Sequence, residues 1–448
     1  MSTKIGVVSL GCDKNRVDTE VMLANLVKGG YEIVSDPALA DVIIVNTCAF
    51  LESARKEAIL TALEMSGYKR SGRCKKVILT GCLGQKYGSE VFEEMTEVDA
   101  VVGTENYGDI CDIVANALKG ERKLYQSCAE GITFGSRILT TAPHVAYLKI
   151  ADGCDNYCTY CLIPYIRGHF RSVALDKLVE QTAELAGKGV REIILVAQDV
   201  TRYGKDIYGE YKIVELIRRL SQVDGIKWIR LLYCYPELMD DALIEEITSN
   251  DKVVKYVDIP LQHVNDEILR KMNRRSNGKS IRELFDKLAA KGIQVRSTFI
   301  CGFPYETKQT VKEVESFLLQ YKLRNVGFFA YSREKGTAAA EFDCQVPART
   351  KESYVKKLYK TQYKVANQLN KSDVGKTYKC IIDDWGDTPE GYNLRDDWYF
   401  YVGRTEFMSP EIDGQVFIAS RSKLTVGEFY DVKIVGAVDY DLQGEVVE

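Results

Sequence analysis

Short, β-branched apolar runs alternate with stretches of helical period along most of this chain. That alternation leaves few folds open, because parallel strands need a crossover and the crossover is usually a helix. Among residues 1–135 the strand signals are 4–10, 42–45, 77–80 and 100–102, and the helical ones are 16–28, 53–66 and 110–118. The expectation is a small parallel α/β sheet domain over 1–135. Six further strand signals follow, at 147–150, 192–197, 228–232, 256–259, 295–300 and 326–331. Helical periods separate them at 174–187, 213–222, 241–249, 280–291 and 307–321. Six βα units are too few for an eight-fold barrel, so 141–372 should form an open, partial (βα)6 barrel of TIM type ending in a charged connector helix at 351–371. Over 373–448 the pattern changes to short strands with Gly, Asp and Pro turns, at 377–383, 398–404, 415–418, 430–438 and 443–447. This predicts a small antiparallel β-barrel.

Cysteine usage narrows the chemistry. The chain has 13 cysteines in 448 residues. Its longest apolar runs are too short to span a bilayer. The stretch from Met1 to Cys12 is too short and too weakly charged for a lipoprotein signal. A cytoplasmic protein is expected, without membrane partners. In that compartment thiols stay reduced, and frequent cysteine points to metal or redox chemistry. Cys154, Cys158 and Cys161 form a Cys-x3-Cys-x2-Cys run directly after the first barrel strand, on the face where barrel active sites sit. Cys12, Cys48 and Cys82 each fall one to three residues beyond a different strand of the first domain. Strand carboxyl ends form the ligand crevice of an open parallel sheet, so these three can converge. The plainer alternative is three small buried hydrophobes. Gly11, Gly81 and the pair Asn46-Thr47 precede them, and such turn chemistry favours a site. Three thiolates hold three corners of a four-iron cluster and leave the fourth iron open to a reactant. Structural zinc would ask for a fourth ligand. His144, His169 and His263 are the only histidines, and none stands at a close, regular spacing from the run.

The Cys-x3-Cys-x-aromatic-Cys loop, with Tyr160 as the aromatic, resembles that of the radical S-adenosylmethionine superfamily. Val196-Ala197-Gln198-Asp199 after the second barrel strand resembles the segment that holds the cofactor's amino end. Asp258-Ile259-Pro260-Leu261-Gln262-His263 follows the fourth strand. Ile300-Cys301-Gly302-Phe303-Pro304-Tyr305-Glu306-Thr307 after the fifth resembles the segment that supports adenine and ribose. The whole chain resembles the methylthiotransferases, in which an α/β domain with a second three-cysteine cluster, a radical domain and a small β-barrel called TRAM follow one another. Within them Ser9-Leu10-Gly11-Cys12-Asp13-Lys14-Asn15-Arg16-Val17-Asp18-Thr19-Glu20 and Val45-Asn46-Thr47-Cys48-Ala49-Phe50 are similar to the branch that modifies a ribosomal protein. Tyr305 and Cys301 depart from the glycine and valine common in the family, and Asp155-Asn156-Tyr157 also occurs in the tRNA branch.

The resemblance implies methylthiolation of an aspartate β-carbon in small-subunit ribosomal protein S-twelve. It implies two 4Fe-4S clusters, an auxiliary one on Cys12, Cys48 and Cys82 and a radical one on Cys154, Cys158 and Cys161. It also implies S-adenosylmethionine held by Tyr160, Gln198, Gln262 and Gly302, and a reducing protein such as flavodoxin or ferredoxin. Charge supports the protein substrate independently. The whole chain has a formal net charge of −4, and residues 375–448 carry 7 basic against 15 acidic residues. Such a segment repels tRNA phosphates and suits a basic protein. The alternatives are the same chemistry on a tRNA adenosine, or a non-catalytic iron–sulfur carrier or sensor.

Overall fold

The structure, a computed structural model, describes residues 2–127, 131–386 and 398–447. The first domain is a six-stranded sheet of β1 (Lys4–Ser9), β2 (Glu32–Val34), β3 (Val42–Thr47), β4 (Lys76–Gly81), β5 (Ala100–Val102) and β6 (Lys123–Tyr125). The order is β2-β1-β3-β4-β5-β6, and every pairing is parallel. The central strands are the apolar runs of the sequence, and β3 is buried at every position. The edge strands β2 and β6 were not expected. Each has three residues, too few for a periodic signal, and forms by pairing with a neighbour already in place. A helix at Cys82–Glu94 was also unexpected. Its Gly84 and Gly88 weaken helix propensity. A Cβ on Gly84 would lie 2.4 Å from the Val102 carbonyl oxygen, so glycine lets this helix press on β5.

The second domain is an open six-stranded sheet of β7 (Val145–Lys149), β10 (Glu192–Val196), β11 (Trp228–Leu231), β12 (Val253–Asp258), β13 (Gln294–Cys301) and β14 (Asn325–Ala330). A two-residue pair, β8 (Ala151–Asp152) and β9 (Arg171–Ser172), frames the segment that carries the cysteine run. The six strands follow one another in chain order and are all parallel. Side chains alternate as a pleated strand requires. Ala146, Leu148, Ile193 and Leu195 face the core under the outer helices, whereas Val145, Tyr147, Ile194 and Val196 face inward.

The third domain is a closed barrel of β15 (Thr377–Trp385), β16 (Tyr399–Thr405), β17 (Val416–Ser420), β18 (Phe429–Val438) and β19 (Asp441–Val446). It departs from the antiparallel expectation at one pair, since β17 and β19 run parallel. Five strands cannot alternate direction around a closed ring, so one parallel pair is forced. The helix Ala348–Asp373 leads into this barrel, which packs on the amino ends of the second domain's strands. Trp228 meets Phe429 edge to face at 4.8 Å, and Ile381, Tyr401, Ile418 and Val432 share one core with the inward residues of β7, β10 and β12. The opposite, carboxyl ends stay free to face the first domain. Among the described residues no helix is long and apolar enough to cross a membrane.

Candidate active site

Cys48 and Cys82 directly follow β3 and β4, and Cys12 lies three residues beyond β1. The three strands are neighbours, so the topology gathers the cysteines at one edge. Gly81 takes φ +99°, and a Cβ there would lie 2.4 Å from Asn46 Oδ1, so the turn that presents Cys82 requires glycine. Asn15 Nδ2 donates to the Leu10 carbonyl at 2.6 Å, and Asn46 Nδ2 to Thr19 Oγ1 at 2.8 Å, which fixes the loop on its helix. Burial pushes the Cys82 thiol up to about 12, partly offset by Arg167 and reinforced by Cys48 and Cys12. Cys48 is raised too, by burial first and by Cys12 among the rest. Cys12, Cys48 and Cys82 thus lie within electrostatic reach of one another.

The second triad sits in a loop closed by Gly153, whose φ is +80° and whose Cβ would lie 2.0 Å from the His169 carbonyl oxygen. Cys154 N–H donates to Gly168 O at 3.1 Å, and Cys161 N–H to Cys158 O at 3.0 Å. The turn after the helix Asp266–Lys271 pins the loop from outside. Thr159 Oγ1 donates to Lys271 O at 2.8 Å, and Asn273 Nδ2 to Tyr157 O at 2.9 Å. Burial pushes Cys154 up to about 11 and Cys161 higher still, with Cys158 adding to both. Each thiol must lose a proton to bind iron, so loading either triad releases protons. All described cysteines are free of disulfides, and Cys128 lies outside the described residues. Among the described residues no three His, Cys, Asp or Glu side chains close on a single metal ion. A four-iron cluster asks for less convergence, because each thiolate binds a different iron.

The residues expected to hold S-adenosylmethionine lie around this loop. Gln198 follows β10. Its Nε2 donates to Asp152 Oδ1 at 2.9 Å, while its Oε1 is buried without a hydrogen-bond partner. An orphaned acceptor there suits a ligand that brings a donor. Gln262 follows β12 at φ +68°, its backbone held between Thr298 O (2.8 Å) and the Ile300 N–H (3.0 Å). Gly302 follows β13 at φ +74°, and its N–H donates to the Glu306 carboxylate. His263 Nδ1 accepts the Val264 and Asn265 N–H groups at 3.0 and 2.9 Å, which leaves Nε2 to donate to Glu306 at 3.2 Å. Tyr160 packs edge-on against Phe303 at 6.4 Å, and burial raises its phenol well above the ordinary value, with Cys158 adding to this. Arg274 and Tyr235 complete this wall, with the guanidinium 4.2 Å from the ring and Arg274 Nε unpartnered.

A buried ionic cluster joins the two sites, and no motif announces it. Arg167 ends the short helix Ile163–Arg167 that follows Cys161. Its Nη1 donates to Asp18 at 2.7 Å and to Asp152 at 2.9 Å, and its Nη2 lies 3.6 Å from Cys82 Sγ. Lys149 donates to Asp18 and, at 3.3 Å, to Asp152. Burial would raise Asp152, but Arg167 and Lys149 outweigh it and hold the carboxyl far below the usual range. The only signal in the sequence is negative. The helix Asp13–Lys28 buries Asn15, Asp18, Thr19 and Glu20, so it lacks the polar face of a surface helix.

An open barrel with a three-cysteine loop and polar residues at its carboxyl ends is the arrangement of the radical S-adenosylmethionine enzymes, and residues 148–318 match that superfamily. Residues 4–103 match the uncharacterized protein family UPF0004, and residues 374–447 the TRAM domain. The chain is 46% identical to the ribosomal protein uS12 methylthiotransferase RimO of Clostridium botulinum over 99% of this chain and 98% of that one. The RimO proteins of Clostridium kluyveri and Acetivibrio thermocellus are 45% and 44% identical, over 99% and 100% of this chain and 98% and 99% of theirs. This chain belongs to the RimO family of methylthiotransferases. It is a radical S-adenosylmethionine enzyme, and iron–sulfur chemistry comes with that membership. Its fold is similar to the radical methyltransferase TsrM of Kitasatospora setae, with a TM-score of 0.55 at 14% identity over 74% of this chain and 75% of that one. The cobalamin-dependent radical enzyme OxsB gives 0.52 at 12% identity, over 80% of this chain and 56% of its own.

Proposed function

We propose that this chain attaches a methylthio group to the β-carbon of an aspartate in ribosomal protein uS12, using two four-iron clusters. Cys12, Cys48 and Cys82 hold the auxiliary cluster that carries sulfur. Cys154, Cys158 and Cys161 hold the radical cluster. The observation that carries the reading is that one buried ionic junction reaches Cys82 of the first triad and the Gly153 turn before the second, in a chain whose relatives bear this name. When bound, the radical cluster and S-adenosylmethionine supply a 5′-deoxyadenosyl radical, which an unactivated C–H bond requires. Gln198 Oε1 accepts from the cofactor's ammonium group. The turn at Gly302, held by Glu306 and His263, backs its adenosine, and Tyr160 and Gln262 line the same mouth.

The division of labour follows the domains. Residues 1–135 carry sulfur, 141–372 cleave the cofactor and 373–448 capture the substrate. Asp383, Asp413 and Glu411 of the last domain pair with Arg404, Arg296 and Arg16. Asp384, Glu428, Asp431, Asp439 and Glu445 remain exposed, and they favour a basic protein over tRNA. A flavodoxin or ferredoxin supplies the electron, in the cytoplasm. Mass spectrometry of uS12 and of tRNA from cells with and without the gene tests the reading. Loss of a methylthio group from uS12 is the expected result. Loss of methylthiolated adenosine instead would replace it.

A further inference from the structure

The guanidinium of Arg167 touches both halves of the catalytic apparatus. On one side Nη2 lies 3.6 Å from Cys82 Sγ and donates to Asn15 Oδ1 at 3.4 Å, both in the first domain. On the other side Nη1 donates to Asp152 at 2.9 Å. Asp152 accepts through its other oxygen from Gln198 Nε2 and from the Gly153 N–H, both at 2.9 Å. Gly153 is the turn that opens the radical-cluster loop. Asp18 (2.7 Å to Arg167) and Lys149 complete the quartet, in which no residue is more than 4% exposed. In so buried a place the interactions are little screened by solvent or salt.

We propose that Arg167 is a positioning residue that couples the two clusters. It sets the charge beside the auxiliary-cluster ligand Cys82, and through Asp152 it fixes the orientation of Gln198 toward S-adenosylmethionine. The chemistry is direct. Hydrogen bonds and positive charge at a ligating sulfur raise the potential of an iron–sulfur cluster. Gln198 presents its unpartnered Oε1 inward only while Asp152 holds its amide nitrogen. Because one guanidinium serves both, electron density on the auxiliary site and affinity for the cofactor are linked, as reciprocity between coupled sites requires.

The inference rests on the two-cluster reading, and its test separates the two. Wild type, Arg167→Gln, Arg167→Lys and Asp152→Asn are reconstituted, their iron is counted, and their clusters are titrated by electron paramagnetic resonance. S-adenosylmethionine binding is measured by calorimetry. In Arg167→Gln the auxiliary cluster's potential should fall while the radical cluster's changes less, and cofactor affinity should drop at least fivefold although Gln198 is untouched. Arg167→Lys keeps the charge near Cys82 but cannot serve both partners, so the potential should recover and the affinity should not. Asp152→Asn should weaken binding and, by removing a negative charge beside Arg167, shift the auxiliary potential upward, opposite to Arg167→Gln. About four irons in the wild-type chain would overturn the two-cluster reading. Full iron loading with an unchanged auxiliary potential in Arg167→Gln would overturn the coupling. If Arg167→Gln does not load, the Arg167→Lys pattern decides. A lysine variant with wild-type affinity and potential sinks the proposal.

Discussion

Gly153 and Asp152 are neighbours that do opposite things for one loop. Gly153 takes a left-handed turn where a Cβ would overlap the His169 carbonyl. Gly153→Ala should therefore cost about 2 kcal/mol from the backbone alone, with the steric overlap in addition. Thermal unfolding should fall by several degrees, and the variant should retain less iron at the radical triad. Asp152 acts through charge. Its carboxyl is held well below the ordinary range because Arg167 and Lys149 outweigh the cost of burial. In the unfolded chain it titrates near 3.9. Its contribution is thus complete above about pH 4 and is lost as pH falls toward the folded value. Hydrogen exchange in the helix Asp13–Lys28 should rise below about pH 4 in the wild type. In Asp152→Asn that acid limb should weaken but persist in part, since Asp18 is then the remaining carboxylate of the quartet. The six cysteines proposed as cluster ligands stand out by their spacing and by the turn residues before them. Arg167, Lys149 and Asp152 do not, because ion pairs between residues 15 to 149 positions apart leave no local pattern.

At the scale of elements, legibility follows length and burial. Strands β7, β10 and β11 of the second domain were readable because each is a mostly apolar run buried along its whole length. β2 and β6 were not, since pairing and not composition makes them strands. The helix Glu52–Ser71 shows how an element borrows from another domain. Its N-cap, Leu51, offers no side-chain cap. Glu334, beyond β14 and 2% exposed, accepts the Glu52 N–H at 2.9 Å and pairs with Arg55. A carboxylate at a helix amino terminus satisfies a free donor and the positive end of the helix dipole. Glu334→Ala should cost about 3 kcal/mol, because it leaves Arg55 and the helix end unpaired in a half-buried place. Exchange should speed in residues 52–55 while the second domain's core stays protected. Equal loss of protection in both domains would refute a local clamp.

At the scale of the molecule, three domains form one body, and this governs which tests of function are fair. Glu192 accepts from Arg230 at 2.7 Å and forms an ion pair with Arg404 at 2.8 Å, and Arg16 of the first domain pairs with Glu411 of the third at 2.7 Å. Removing residues 375–448 would take Arg404 from the buried Glu192 and bare Trp228 and Tyr256, so the truncated chain should aggregate and report nothing about substrate. Point variants of the cysteines avoid that difficulty. The proposed cofactor contacts Gln198, Gln262, Gly302 and Tyr160 all belong to the second domain. Replacing Cys12, Cys48 and Cys82 by alanine should therefore leave reductive formation of 5′-deoxyadenosine within about threefold of wild type; the residual loss would reflect the altered charge beside Arg167. Methylthiolated uS12 should vanish, since nothing remains to carry sulfur. Replacing Cys154, Cys158 and Cys161 should stop deoxyadenosine formation, while methylation of sulfur on the remaining cluster, a polar step, persists as acid-releasable methanethiol. Iron per chain should halve in both, from about eight to about four. If the first triple variant still made methylthiolated uS12, the sulfur-carrying role of the first domain would be wrong.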